Sequence, residues 1–229
     1  MKTIPIHFFV FAICALPAIC QSDSGIPGAY VSGFIGVHVP ADTDVPSTDF
    51  FTNESYNDRV EFDPGINIGG TGGYDFGIVR LESELSYKHS TIKTITDQTT
   101  GIRFRNPNGE IEVMAFMFNG FIDLHNNSQL TPYLGGGVGL ASIYLSDTYG
   151  ITTSGGTSNI TRLYGAGNDT VFAYQVGAGL DIALNRRFSL DVGYRYFGSN
   201  RADFNSDLDI SSSMRFVSHT STLGFRYRY

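Results

Sequence analysis

The clearest pattern in the chain is the stretch GIVRLESELSYKH, residues 77–89. Val79, Leu81, Leu85 and Tyr87 fall on one side of a two-residue repeat, and Arg80, Glu82, Glu84 and Lys88 fall on the other. Wound as a helix, the same charges would scatter around the cylinder, so the period of two predicts a strand. Seven further segments alternate in the same way: about 28–39, 65–76, 112–124, 131–145, 171–184, 188–197 and 214–229. In the segment 112–124, Met114, Phe116, Phe118, Ile122 and Leu124 share one face, opposite Ala115, Met117, Asn119, Phe121 and Asp123. In 131–145, Leu134, Val138, Leu140 and Tyr144 oppose Gly135, Gly137, Gly139 and Ala141. The last segment, STLGFRYRY, sets Leu223, Phe225, Tyr227 and Tyr229 against Thr222, Gly224, Arg226 and Arg228.

The connections between these segments alternate in length. Short turns are expected near residues 75–77, 125–129 and 185–187, and long polar stretches at 40–64, 91–110, 146–170 and 198–213. That sorting puts four long loops at one end, and three short turns with both chain termini at the other. A soluble β-sandwich has no reason to sort its loops so; an outer-membrane barrel does, with short turns facing the periplasm and long loops facing outside. Lipid offers unpaired backbone groups no water, so a spanning sheet must close on itself. The expected fold is therefore all-β, an eight-stranded antiparallel transmembrane up-and-down β-barrel. Its apolar side chains face lipid and its polar ones face a lumen that inward glycines keep from crowding. Tyr133, Tyr144, Phe188, Tyr196, Tyr227 and Tyr229, near strand ends, are expected to form interfacial girdles.

Composition supports strands over helices: 27 Gly, 18 Phe and 13 Tyr. A net charge of −7 with no basic stretch argues against a nucleic-acid partner. Residues 1–20 read as a secretory signal peptide, with Lys2, an apolar run from Ile6 to Leu16, Pro17, and cleavage after Cys20, leaving residues 21–229 as the barrel domain. The apolar run is too short for a membrane anchor, and Ile19 is too bulky beside Cys20 for a lipoprotein signal. Both cysteines, Cys14 and Cys20, lie in the signal, so the exported domain is expected to hold together without disulfides.

YVSGFIGVHVP, GGYDFGIVRLESELSYKH, FMFNGFIDLHNNSQLTPYLGGGVGLA, YQVGAGLDIALNRRFSLDVGYRYF and the aromatic C-terminus together resemble the outer-membrane β-barrel family of opacity-type and small OmpA-like surface proteins. The resemblance covers all of 21–229 except the long loops. It implies the bacterial outer membrane, insertion by the barrel-assembly machinery with the terminal aromatics as signal, surrounding lipopolysaccharide, and no shared catalytic residue. No peptidoglycan-binding domain is expected after the barrel.

Candidate chemistry is sparse. Arg80, Glu82, Glu84, Asp181, Asp191, Arg195, Arg226 and Arg228 share the inward parity, with Asp181, Asp191 and Arg226 at similar depth near the short-turn end. A paired plug is the expected reading, an ion path or gate the alternative, since eight strands leave only enough room for side chains. Glu82 and Glu84, sealed inside, would meet no glycoside substrate. His219 and Ser221, two apart on the lipid-facing parity, resemble the pair of outer-membrane lipid A deacylases, but Thr222 stands where that family has asparagine. An acyl hydrolase is thus a minor alternative, as is a small-solute channel. His38, His89, His125 and His219 are far apart, and Asp42, Asp44, Asp49, Glu54, Asp58 and Glu61 lack the glycine and bidentate glutamate of a Ca²⁺ loop. Asn53, Asn159 and Asn168 match glycosylation triplets in expected loops and read as chance. No residue is assigned as catalytic, cofactor-binding or metal-ligating. The expected role is non-enzymatic: a rigid monomeric scaffold whose loops, the third (146–170) read as mobile, meet a host or cell-surface ligand.

Overall fold

The structure, a computed structural model, describes residues 27–49, 55–105, 107–124, 128–154, 157–205 and 210–229. The expected signal peptide, Asn53, Glu54 and His125 lie outside the described residues. Thirteen strands follow one another: β1 (Gly28–Pro40), β2 (Thr43–Asp49), β3 (Ser55–Phe62), β4 (Gly65–Asp75), β5 (Val79–Asp97), β6 (Arg103–Arg105), β7 (Glu110–Asp123), β8 (Leu130–Leu145), β9 (Thr148–Ser154), β10 (Thr157–Tyr164), β11 (Gly167–Ala183), β12 (Phe188–Asn205) and β13 (Ile210–Arg228). Eight of them form a closed antiparallel ring in the order β1, β4, β5, β7, β8, β11, β12, β13. Closure is made by β1 and β13, paired without a break from Tyr30↔Arg228 to Pro40↔Ser218. The expected all-β eight-stranded barrel is present.

The expected faces are present too. Val79, Leu81 and Leu85 of β5, and Met114, Phe116, Phe118 and Ile122 of β7, point outward, with Phe118 59% exposed. On β8, Leu134, Val138 and Leu140 do the same. An apolar belt of this extent would make a water-soluble sandwich aggregate. Along β7 and the residue after it the belt runs from Met114 to Leu124, matching the ~9–11 residues a tilted strand needs to cross lipid.

Beyond the belt the structure departs from expectation. The strands run on past it, up to 19 residues in β5 and β13. The stretch 40–64, expected as a loop, continues the wall: β2 and β3 pair with each other, β2 with β13, and β3 with β5. Pro40 and Pro64 mark the breaks, since proline brings no ladder donor, and Ala41 N–H to Val217 O (2.8 Å) and Asp63 N–H to Thr91 O (3.0 Å) carry the pairing past them. The expected loop 198–213 is likewise the top of the β12–β13 hairpin, with a register shift between Gly198 and Arg201. The third stretch, expected as a mobile loop, holds the β9–β10 hairpin, and Asn159 and Asn168 lie in β10 and β11.

The interior differs as well. Its buried ion pairs lie in the half near the short turns. In the other half Ile92, Val113, Met117, Ile143, Phe197 and Phe216 point inward and join Val45, Val60 and Phe62 in one buried apolar cluster. There the outer wall is polar, with Glu110, Lys93, Arg201 and Arg215 exposed. Side-chain polarity thus inverts along single strands where the surroundings change from lipid to water.

Close packing behind β8 depends on glycine. A Cβ at Gly137 would lie 2.0 Å from Asn119 Oδ1 and 2.4 Å from Phe118 O, whereas one at Gly72 would meet nothing within 4 Å. Gly137→Leu should destabilise the barrel by about 1–3 kcal/mol or block folding, while Gly72→Leu should leave it unchanged. Urea midpoints in lipid vesicles and the heat-dependent gel shift measure both.

Candidate functional site

Two regions hold the concentrated chemistry, the polar half of the lumen and the rim above it. In the lumen, charged side chains of the inward parity converge from six of the eight ring strands. Five cations, Arg80, Lys88, Arg195, Arg226 and Arg228, sit among six carboxylates, Asp75, Glu82, Glu84, Asp123, Asp181 and Asp191. All eight residues expected to form the inward charge set are there.

They divide into connected groups. Arg226 is hydrogen-bonded to Asp181 and lies 3.3 Å from Asp191, so the expected similar depth of these three is realised. Arg228 adds contacts of 3.8 Å to Asp75 and 4.0 Å to Asp181. Arg195 is hydrogen-bonded to Glu84 and lies 3.9 Å from Glu82. Arg80, 1% exposed, pairs with Asp123 at 3.1 Å and lies 4.7 Å from the centre of the Tyr133 ring. Neutral donors add further hydrogen bonds. Tyr30 O–H donates to Glu82 at 2.7 Å, Tyr133 O–H to Asp191 at 2.9 Å, and Asn119 and Gln175 to Glu84 at 2.9 and 3.0 Å. Glu82 and Glu84 are therefore occupied by internal partners.

Tyr133 corrects an expectation. It is 4% exposed inside the lumen, not in a girdle, because it shares the inward parity of Gly135 and Gly137. Tyr144 and Tyr229 are exposed as expected. Tyr30, Asp75 and Asp123 also join the charge network; strand parity places all three, and Asp123 stands on the expected inward face of β7. Among the described residues no carboxylate lies within 4 Å of Lys88; its ammonium bonds Ser86 Oγ at 3.2 Å and sits 4.3 Å from the centre of the Phe197 ring, where the ion pairs give way to the apolar cluster. Between Arg80, Glu82, Tyr133, Asp191, Arg195 and Arg226 remains a cavity of about 10 Å³, at the lower limit for one water molecule.

His219 and Ser221 both point outward, as parity requires. The imidazole Nδ1 meets the Tyr194 hydroxyl at 2.5 Å, and the ring stacks on Tyr194 and edges Tyr196. Tyr194, not Ser221, is thus the partner of this histidine.

At the rim, four acids of the first long stretch, Asp42, Asp44, Asp58 and Glu61, have partners within the protein. Asp42 bridges Arg59 (3.2 Å), Glu61 bridges Arg103 (3.4 Å), and Asp44 accepts from Gln98 (2.8 Å). Tyr164 of β10 donates to Asp58 of β3 at 2.7 Å, tying the third stretch to the first. Burial, and then Asp97 nearby, push the Asp58 carboxyl above the usual carboxylate range against that hydrogen bond. Asp147 is held below it by the Ala166 N–H and Arg162, which fixes the foot of the β9–β10 hairpin.

The sequence profile of the family described as outer membrane protein beta-barrel domain matches residues 8–229. Outer membrane protein PagN of Salmonella typhimurium is 28% identical over 220 residues, 86% of either chain. An uncharacterized protein of Brucella abortus is 27% identical over 198 residues, 76% of this chain and 69% of its own. Among solved structures, the outer membrane protein OprG from Pseudomonas aeruginosa superposes with a TM-score of 0.56 at 15% identity, covering 88% of this chain and 96% of that one, a likeness of fold.

The lumen yields a direct test. Arg226→Ala leaves Asp181 and Asp191 buried around a lost cation and should cost about 3–5 kcal/mol in urea unfolding. Arg226→Met combined with Asp181→Asn and Asp191→Asn should recover most of that loss.

Proposed function

This chain belongs to the outer-membrane β-barrel family and is a protein of the bacterial outer membrane, and on that premise we propose that it is a non-enzymatic, closed scaffold displaying a β-structured rim to the outside. The carrying observation is the filled interior. Buried ion pairs fill the periplasmic half, an apolar cluster fills the outer half, and the cavity between Arg80 and Arg226 is too small for a solute. The short turns and both strand ends face the periplasm in this reading, as in the family's architecture. Residues 1–20 are the export signal, and the aromatic end at Phe225, Tyr227 and Tyr229 is what the barrel-assembly machinery engages. Lipopolysaccharide surrounds the apolar belt, and the barrel acts as a monomer.

The part that meets a partner is the rim, where β2–β3 and β9–β10 rise from the wall and are held together by Tyr164 and Asp58. Loops on a rigid support carry recognition at low ordering cost. Ile151 and Ile160, paired across the β9–β10 hairpin and 65% and 74% exposed, offer apolar contact to a host or neighbouring cell surface. The Tyr194–His219 contact argues against acyl transfer by Ser221.

Single-channel recording of the refolded chain in planar bilayers is the test. The expected trace is silent while an unheated gel shows the folded barrel. Steady conductance that changes on Arg195→Ala would replace the scaffold with the channel. Bacteria displaying the barrel should attach to a cell or matrix surface, and exchanging residues 148–164 for a short turn should remove attachment without removing the folded band.

A further inference from the structure

We propose that His89, Glu110 and Glu112 form a binding site for a divalent ion of the zinc class on the outer wall, at the level where the lipid-facing belt ends. Register brings the three together. On the β5–β7 ladder His89 stands opposite Glu112, and Thr91 opposite Glu110, so both carboxylates and the imidazole share one outward face. One ligand atom from each lies within 4.8 Å of the other two. Just below, the outward positions turn apolar, with Met114 on β7 and Leu85 on β5.

The imidazole carries the independent sign. The ring is 31% exposed, but its Nδ1 is buried and, among the described residues, has no hydrogen-bond partner, although Glu112 Oε1 lies 3.9 Å away. That gap is too wide for a hydrogen bond. It suits two ligands that reach the same ion, each at about 2.0–2.2 Å. Among the described residues neither Glu110 nor Glu112 has a lysine or arginine ion pair, so two neighbouring carboxylates are left without a cation. The His89 carbonyl, in turn, is in contact with His38 Nε2 at 3.2 Å, which anchors the ligand's backbone to the wall.

The donor set selects the metal. Calcium and magnesium take oxygen ligands, whereas one imidazole with two carboxylates suits zinc. Three protein ligands leave the fourth position open toward the surroundings.

The experiment is calorimetric titration of zinc chloride into the full chain, folded in detergent without lipopolysaccharide and carrying Cys14→Ser and Cys20→Ser to remove competing thiols. One zinc per chain is expected. His89→Ala and Glu112→Gln should each weaken binding by at least the ~10–100-fold that losing an outer-shell partner costs. His219→Ala, which removes another exposed imidazole from the wall, should bind as the parent does. The heat-dependent gel shift establishes that each variant is folded. Absence of binding by the parent, equal binding by folded His89→Ala, or loss on His219→Ala would overturn the assignment.

Discussion

Ring closure is the constraint on which this structure rests. Inside lipid an unpaired N–H or C=O has no water to turn to, so each ladder must meet another, and the last must meet the first. Eleven consecutive residue pairs between β1 and β13 accomplish this. Closure on eight strands leaves a narrow interior, and that narrowness dictates which side chains can occupy it. Gly135, Gly137 and Gly139 face inward on β8 because the backbone of β7 lies where their side chains would be. The remaining space is filled by side chains from several strands at once.

The polar filling also explains how the strands keep their register. With lipid outside, an apolar interior would distinguish poorly between the two faces of a strand. A one-residue slip exchanges the faces completely. For β5 such a slip would turn Arg80, Glu82, Glu84 and Lys88 toward lipid. Each basic group there would cost about 2–4 kcal/mol at the midplane, on top of the ion pairs lost inside. Buried ion pairs often contribute little net stability against a well-packed apolar alternative. In this barrel they penalise the wrong register heavily, and that is the physical case for retaining them.

Parity along the strands was readable in the residues wherever one surrounding acted on a whole segment. The outward belt and all eight inward charges follow from the period of two. Reading failed where the surrounding changes partway. Above the belt the wall stands in water, so the rule inverts: Glu110 and Glu112 point out while Ile111 and Val113 point in. In 40–64 the outward Asp42, Asp44, Arg59 and Glu61 look like a solvated loop. Val60 and Phe62 keep the period of two on β3, but they are only two positions and Val45 stands apart on β2, so the inward half of the alternation does not stand out. Tyr133 failed for another reason. It lies near a strand end but follows parity, the stronger physical constraint.

Strand pairing separates His89 from His219 on the outer wall. His219 and Ser221 lie two apart on one strand and so invite a reading as a pair. Residues spaced two apart share a face but are not nearest neighbours, and the directly opposed residues of adjacent strands stand closer. Tyr196 opposes His219 on β12, Tyr194 lies one step along, and the imidazole is taken up between them. His89 has no such linear partner, and no spacing in the chain joins it to Glu110 and Glu112. Its neighbours are set by which strand pairs with which and in what register, information that enters only when the ring is assembled. A cross-strand cluster is therefore invisible to motif reading even when each strand has been placed correctly, and the unpartnered Nδ1 of His89 is a feature that only the folded wall exposes.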